Sequence, residues 1–283
     1  MNFAPRYLGR GSWLAQRDPR ILVLAVVCFV FAAIQVWDLR LMIVLAAIAF
    51  AYYRSARIPF REVRRLWLFA VVFISLLVFG NGIIASGRVQ RLPEGWVEHV
   101  YGYLPVLGSP ISAENLVFAV TQFLRFMAMV AIGMPLAFAI DPGAFGVTFA
   151  RLGVPSRWAF AIDLTWRFIP SFAADLRTTI DAQRVRGMEL DDSRGGFLTR
   201  LRRQAPILVP TVVNAIAGAE DTIDAMDLRS FGSGPRTWLR ELRFDRTDRL
   251  VLAFFVGLFV VATLAGFTTS SSYLWIPPFM IPG

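Results

Sequence analysis

The chain has 283 residues, 56% of them hydrophobic and only 17% charged, with a mean hydropathy of +0.56. This composition argues against a soluble globular enzyme and predicts an all-α polytopic membrane protein. All 29 basic residues are arginine and the formal net charge is +9. Without lysine there is no amine nucleophile, no Schiff base and no Gly-x-x-x-x-Gly-Lys phosphate loop, so any ATP must be hydrolysed by another chain.

Single copies of cysteine and histidine leave no disulfide and no zinc site, and neither a cofactor nor a metal is expected. Cys28 falls inside the first apolar run and reads as a packing residue. His99 sits in a polar loop and reads as solvated. A basic excess in an apolar chain suits cytoplasmic segments and orientation rather than nucleic acid.

In chain order, polar and basic residues including Asp18-Pro19-Arg20 precede the first apolar run. Five runs predict membrane spans at 21–37, 41–53, 67–86, 115–140 and 250–267. The second, at 13 residues, is short and is expected to extend into its flanks.

Arginines accumulate before the first run (Arg6, Arg10, Arg17, Arg20), after the second (Arg54, Arg57, Arg61, Arg64, Arg65) and, sixteen of them, between 141 and 249. The loop at 87–112 has only Arg88 and Arg91, and the tail after Phe267 has none. Five spans with the N-terminus cytoplasmic and the C-terminus outside satisfy this bias. The expected organisation is spans one to four in 1–140, a cytoplasmic region in 141–249, and the last span with its tail in 250–283.

The cytoplasmic region predicts two long amphipathic helices. In 157–186, Trp158, Ile162, Thr165, Ile169, Phe172, Leu176 and Ile180 recur at steps of three and four. From about 207 to 229 the same rhythm runs through Leu208, Val212, Ala215, Ala219, Ile223 and Met226. Pro170 is expected to kink the first helix, and Pro210 lies near the start of the second. Between them lies MELDDSRGGFLTRLRRQAP, read as a charged connector with Arg200, Arg202 and Arg203 suited to anionic headgroups. Glu220, Asp221, Asp224 and Asp227 argue against a sixth span in the second stretch.

Each helix ends on nearly the same nine residues, TIDAQRVRG from Thr179 and TIDAMDLRS from Thr222, with five positions identical and the copies offset by 43 residues. An arginine in the last turn suits the negative end of the helix dipole, and Gly187 permits the left-handed conformation that stops a helix. Ser230 does so less well, although Gly232 and Gly234 follow. Ala182 and Arg186, and Ala225 and Arg229, are four apart and share a face, leaving room beside a fork-shaped cation for a partner's carboxylates or helix ends. Dipole caps alone are the plainer reading of one such end. Two matched ends suggest a partner with two sockets.

The segments ending Val185-Arg186-Gly187 and Leu228-Arg229-Ser230 resemble the paired Ala-Arg-Gly-type motifs of the transmembrane T component of energy-coupling factor (ECF) transporters, the EcfT/CbiQ family. Asp18-Pro19-Arg20, Arg151-Leu152-Gly153-Val154-Pro155 and Arg167-Phe168-Ile169-Pro170 are similar to further segments of that family. Departures are Val185 and Leu228 in place of alanine and Ser230 in place of glycine.

The resemblance implies a non-catalytic subunit of an ABC-type vitamin or metal importer. Two cytoplasmic ATPases would bind the tips Ala182, Arg186, Gly187 and Ala225, Arg229, Ser230, and a membrane S component would bind the substrate. Pro170, Pro206 and Pro210 are candidate hinges. Phe126, Met127, Met129 and Met134 suggest an adaptable surface for S components, with lipid-facing filler the plainer alternative for each. Arg125, midway along the fourth run, is expected to hold the T component together, with substrate contact as the competing reading.

Two other classes stay open at this point. A membrane-embedded lipid-modifying enzyme would use acids such as Asp191-Asp192 or Glu220 to Asp227 with metal, but has no lysine base. A stand-alone carrier lacks an internal inverted repeat in hydropathy.

Overall fold

A computed structural model of the chain describes residues 11–84, 99–103, 110–188, 197–234, 237–238, 242, 244–268 and 275–277. Contacts divide the described residues into two units, an inserted one within Pro142–Glu241 and a flanking one within Arg6–Asp141 and Leu242–Gly283.

In the flanking unit a helix forms at each predicted apolar run: α1 (Pro19–Gln35), α2 (Leu39–Ser55), α3 (Phe60–Ile84), α4 (Ala113–Ala139) and, after the inserted unit, α8 (Arg246–Thr268). Stretches of α3, α4 and α8 are long and apolar enough to cross a membrane, while α1 is apolar but shorter. At 17 residues each, α1 and α2 extend about 26 Å, a little under a hydrocarbon core of about 30 Å. Residues 85 and 86 of the third predicted span lie outside the described residues.

Capping explains where the first two helices start. Asp18 caps α1 by accepting from the Arg20 N–H, with Pro19 in the first turn where its missing donor costs nothing. Asp38 accepts from the Arg40 N–H in the same way at α2.

Small residues fill the helix contacts. Ala25, Ala32 and Ala33 of α1, Ala46 and Ala49 of α2, and Ala128 and Ala131 of α4 are buried, letting backbones approach where lipid supplies no hydrophobic drive between helices. Phe29, Met42 and Ile132 fill the space between them. The outward faces, such as Leu68, Phe69, Val72, Phe73 and Leu76 of α3, are exposed and suited to lipid.

Contacts at the two ends set the threading. At one end Ala113 and Val117 of α4 pack with Leu39 of α2 and Ile276, beyond α8. There Trp275 also lies under the Arg40 guanidinium, 3.6 Å from its ring centroid. At the other end the starts of α1 and α8 are tied by ion pairs. Successive helices therefore alternate in direction.

The 87–112 loop contains a two-stranded antiparallel ladder, β1 (Val100–Tyr103) with β2 (Pro110–Ser112), registered Val100 to Ser112 and Gly102 to Ile111. His99 is not a freely solvated side chain. Its backbone N–H donates to the Glu114 carboxylate, and its ring Nδ1 lies 2.9 Å from Oε1 of that fully buried side chain.

The inserted unit holds α5 (Phe145–Arg151), α6 (Ser156–Val185) and α7 (Phe197–Leu228). Helix α5, not anticipated from sequence, packs on α6 at Gly146, where a Cβ would come within 2.5 Å of the Asp163 Cβ, so only glycine fits. Phe145 stacks on Trp166 beside it, centroids 5.7 Å apart.

Helix α7 begins ten residues before the expected start, absorbing much of the predicted connector. Pro170 lies inside α6, as expected, whereas Pro206 and Pro210 lie inside α7 rather than at its start. The side chains of Arg200, Arg202 and Arg203, and the connector residues Asp191 and Asp192, lie outside what is described.

The predicted apolar faces are not simply buried. Trp158 and Phe172 of α6, and Leu208, Val212 and Ile223 of α7, are exposed. A cleft of about 340 Å³ between the two helices is lined by Phe168, Ser171, Phe172 and Asp175 on one side and by Asn214, Ala215, Gly218 and Ala219 on the other.

Candidate functional site

The repeated nonapeptides form the C-terminal ends of α6 and α7, and their backbones close in the same way. At the first, the Met188 N–H donates to the Gln183 carbonyl (3.1 Å) and the Gly187 N–H to the Arg184 carbonyl (2.9 Å). At the second, the Phe231 N–H donates to Met226 (3.0 Å) and the Ser230 N–H to Asp227 (2.9 Å). Both are Schellman ends, in which the last free carbonyls are satisfied by a chain reversal through a left-handed residue.

That residue is Gly187, with φ +85°, and Ser230, with φ +52°. Ser230 thus takes the left-handed place itself rather than passing it to Gly232. A side chain there is strained by about 1–2 kcal/mol. Arg186 and Arg229 are the cap residues, one position further out than the last helical turn.

All six predicted tip residues, Ala182, Arg186, Gly187, Ala225, Arg229 and Ser230, are exposed. Among the described residues, neither cap guanidinium has a hydrogen bond or an ion pair. The neighbouring Arg184 instead reaches Asp181 at 3.4 Å on its own helix. The aliphatics before the arginines, Val185 at 90% and Leu228 at 88% exposure, are the most solvent-accessible large apolar side chains described.

The helices run antiparallel. Residues 168–175 of α6 lie across from 214–219 of α7, and earlier in α6 the Phe160 ring meets Phe231, just past the α7 tip, with centroids 4.9 Å apart. Arg229 therefore stands near the start of α6 and Arg186 at its far end. With 1.5 Å of rise per residue, 26 residues of α6 put the tips roughly 40 Å apart. The sequence pairs the tips by likeness; the fold sets them at opposite ends.

The candidate hinges sit where helices have lost backbone donors. Pro206 and Pro210 remove two N–H groups one turn apart in α7, and Pro170 removes one in α6 at the level of the cleft. Ser171 Oγ, next to Pro170, donates to the Phe168 carbonyl at 2.9 Å.

Arg125 does not join this site. It is buried at 5% exposure in the flanking unit, where its guanidinium donates to the Val36 carbonyl at the end of α1 and to Gln122 Oε1. It also lies over the Trp37 ring, 4.7 Å from the centroid. Trp37 in turn stacks on Phe118. Of the suggested adaptable surface, Met127 and Met134 are buried.

One constellation was not foreseen. Asp18 caps α1 and receives the Arg20 guanidinium, with Nε at 3.0 Å from both oxygens. Arg20 also lies over Phe244 and donates to the Leu242 carbonyl. Arg17 pairs with Asp245 at 3.4 Å and with the buried Asp248 at 3.7 Å, and donates to the Thr247 hydroxyl. Hydrogen bonds from Thr247 Oγ1 and the Arg246 N–H, with the nearby Arg17 charge, hold the Asp245 carboxyl below the usual range. The chain's return from the inserted unit is thereby clamped to its N-terminal segment. The local cue, Asp-Pro-Arg, was visible; its partners some 225 residues on were not.

The four acids Glu220, Asp221, Asp224 and Asp227 line the outer turns of α7, and no three described histidines, cysteines or acids stand close enough to share a metal ion.

The profile of a family described as cobalt transport protein, CbiQ, matches residues 11–238. The energy-coupling factor transporter transmembrane protein EcfT of Lactococcus lactis subsp. cremoris is 26% identical over 275 residues, covering 92% of this chain and 96% of that protein. The EcfT of Ruminiclostridium cellulolyticum is 28% identical over 258 residues, covering 87% and 90%. That of Bacillus selenitireducens is 26% identical over 263 residues, covering 92% and 95%. With more than three quarters of its length matched by the profile, the chain belongs to the CbiQ family, that of the transmembrane T components of ECF transporters.

Proposed function

We propose that this chain is the mechanical link of an ECF-type ABC importer for a vitamin or metal. Two cytoplasmic ATPase subunits receive the tips at Arg186 and Arg229, and a membrane S component carries the substrate. The observation that carries this reading is the pair of identically closed helix ends, roughly 40 Å apart, each presenting a guanidinium without a partner among the described residues. An exposed arginine on a rigid cap costs little to leave in water and gains charge-assisted hydrogen bonds when a partner's carboxylates or carbonyls desolvate it.

Closure of the ATPase pair then displaces the tips toward one another. The helices carry that displacement inward, bending where Pro170, Pro206 and Pro210 have removed backbone bonds. The exposed apolar residues Leu208, Val209, Val212, Val213 and Ile216 of α7 form the face on which the S component reorients. Arg125 acts as a structural cation that ties α4 to the α1–α2 corner. The arginine-rich end, with the N-terminus and the inserted unit, faces the cytoplasm, and the C-terminal tail lies outside. Without lysine the chain can form no Gly-x-x-x-x-Gly-Lys phosphate loop, so ATP turnover belongs to its partners.

Co-purification with the ATPases tests the reading. Truncating one member of a desolvated charge pair costs about 2–5 kcal/mol, so Arg186→Ala together with Arg229→Ala should weaken retention about 30-fold or more and abolish uptake. Wild-type assembly, ATP hydrolysis and uptake in the double variant would rule it out.

A further inference from the structure

The two tips share a backbone but not a charge. Because both ends close with the same hydrogen bonds, matching positions occupy matching places, and Arg184 at the first corresponds to Asp227 at the second. In 175–187 three arginines (Arg177, Arg184, Arg186) face two aspartates (Asp175, Asp181), a net charge of +1. In 218–230 one arginine (Arg229) stands with Glu220, Asp221, Asp224 and Asp227, a net charge of −3. All ten side chains are exposed, so each tip presents its charge to whatever it meets.

From this we infer that the tips are charge-coded for two different sockets. The α6 tip fits an ATPase groove rimmed by carboxylates. The α7 tip fits a groove whose floor accepts Arg229 but whose rim carries arginine or lysine. The inference rests on the docking reading above and adds to it which tip goes where. Arg186 and Arg229 supply the shared anchor. Arg184 and Asp227, two residues earlier on the same exposed end, supply the discrimination.

The physical basis is that rim charges do little for affinity in the right pairing but penalise the wrong one by placing like charges together. A pair of identical ATPases offers two identical rims and cannot suit a +1 tip and a −3 tip equally. Two distinct ATPase chains can. The preference weakens as salt rises, because these charges are exposed and screened over about 8–10 Å.

The full chain is assembled with its ATPases, carrying a photo-crosslinking residue in place of Val185 or of Leu228. The expected result is that each probe labels a different ATPase chain, with about tenfold preference at low salt. Charge exchange, Arg184→Asp with Asp227→Arg, should erase or invert that preference, while Arg184→Lys should leave it intact. Equal labelling of both ATPases, a single ATPase species in the complex, or labelling unmoved by the exchange would overturn the charge code while leaving docking in place. Labelling of no ATPase from either probe would remove the docking reading itself, and the inference with it.

Discussion

Arginine is used in opposite ways in the two units. In the flanking unit Arg17 and Arg20 are half-buried and Arg125 is buried, and all three are engaged, by Asp245 and Asp248, by Asp18, and by the Val36 carbonyl with the Trp37 ring. At the ends of α6 and α7, Arg186 and Arg229 stand exposed on caps that the backbone already completes. A buried cation must be neutralised where it lies, because desolvation leaves no alternative. An exposed cation with no internal partner contributes nothing to its own fold. The difference marks which arginines build the protein and which, on the proposed function, are left for another molecule.

Stability measurements in detergent should separate the two groups most sharply. Arg20→Ala strips the guanidinium from Asp18, whose side chain is fully buried, and should cost about 3–5 kcal/mol of stability. Arg186→Ala with Arg229→Ala should alter the melting free energy by no more than about 0.5 kcal/mol. A large loss in the tip variant, or none in the clamp variant, would erase the contrast. Arg125→Leu comes next. It orphans the Val36 carbonyl and should cost about 1–3 kcal/mol, read as lower yield and melting temperature of the isolated subunit.

The tips differ from one another by a smaller amount. Ser230→Gly relieves a left-handed φ and should stabilise the α7 end by about 0.5–1 kcal/mol, whereas Gly187→Ala should weaken the α6 end by about 1 kcal/mol. Amide hydrogen exchange at Phe231 and Met188 reports each directly. The smallest effect is at Asp245. Its carboxyl is held below its ordinary value, so its contribution is fully present above the unfolded-state value of about 3.9 and is lost as pH falls through the lower folded value. A small gap in melting temperature between wild type and Asp245→Asn should therefore exist at neutral pH and close in acid.

Local chemistry was enough to locate much of this. Apolar runs located five helices because a span must satisfy its own backbone in lipid, and that needs a long uninterrupted segment. The α6 pattern placed its end at Arg186 because glycine and the change of periodicity coincide there. The α7 start was misplaced because proline stops a helix in isolation but not when flanking residues carry the turn on either side. Helix α5 went unseen because seven residues hold too few periods to stand out. The Glu114 partner of His99, fifteen residues away across a hairpin, has no local signature.

By itself, then, the sequence determined the helical class, the membrane character and the two arginine tips, since each depends on residues within a few turns of one another. Tertiary structure alone decided that α6 and α7 run antiparallel, which turns a repeated motif into two tips at opposite ends. It also decided that Arg17 and Arg20 meet partners near residue 245. Periodicity reports which face of a helix is apolar; direction, distance and charge partner follow only from how separate helices pack.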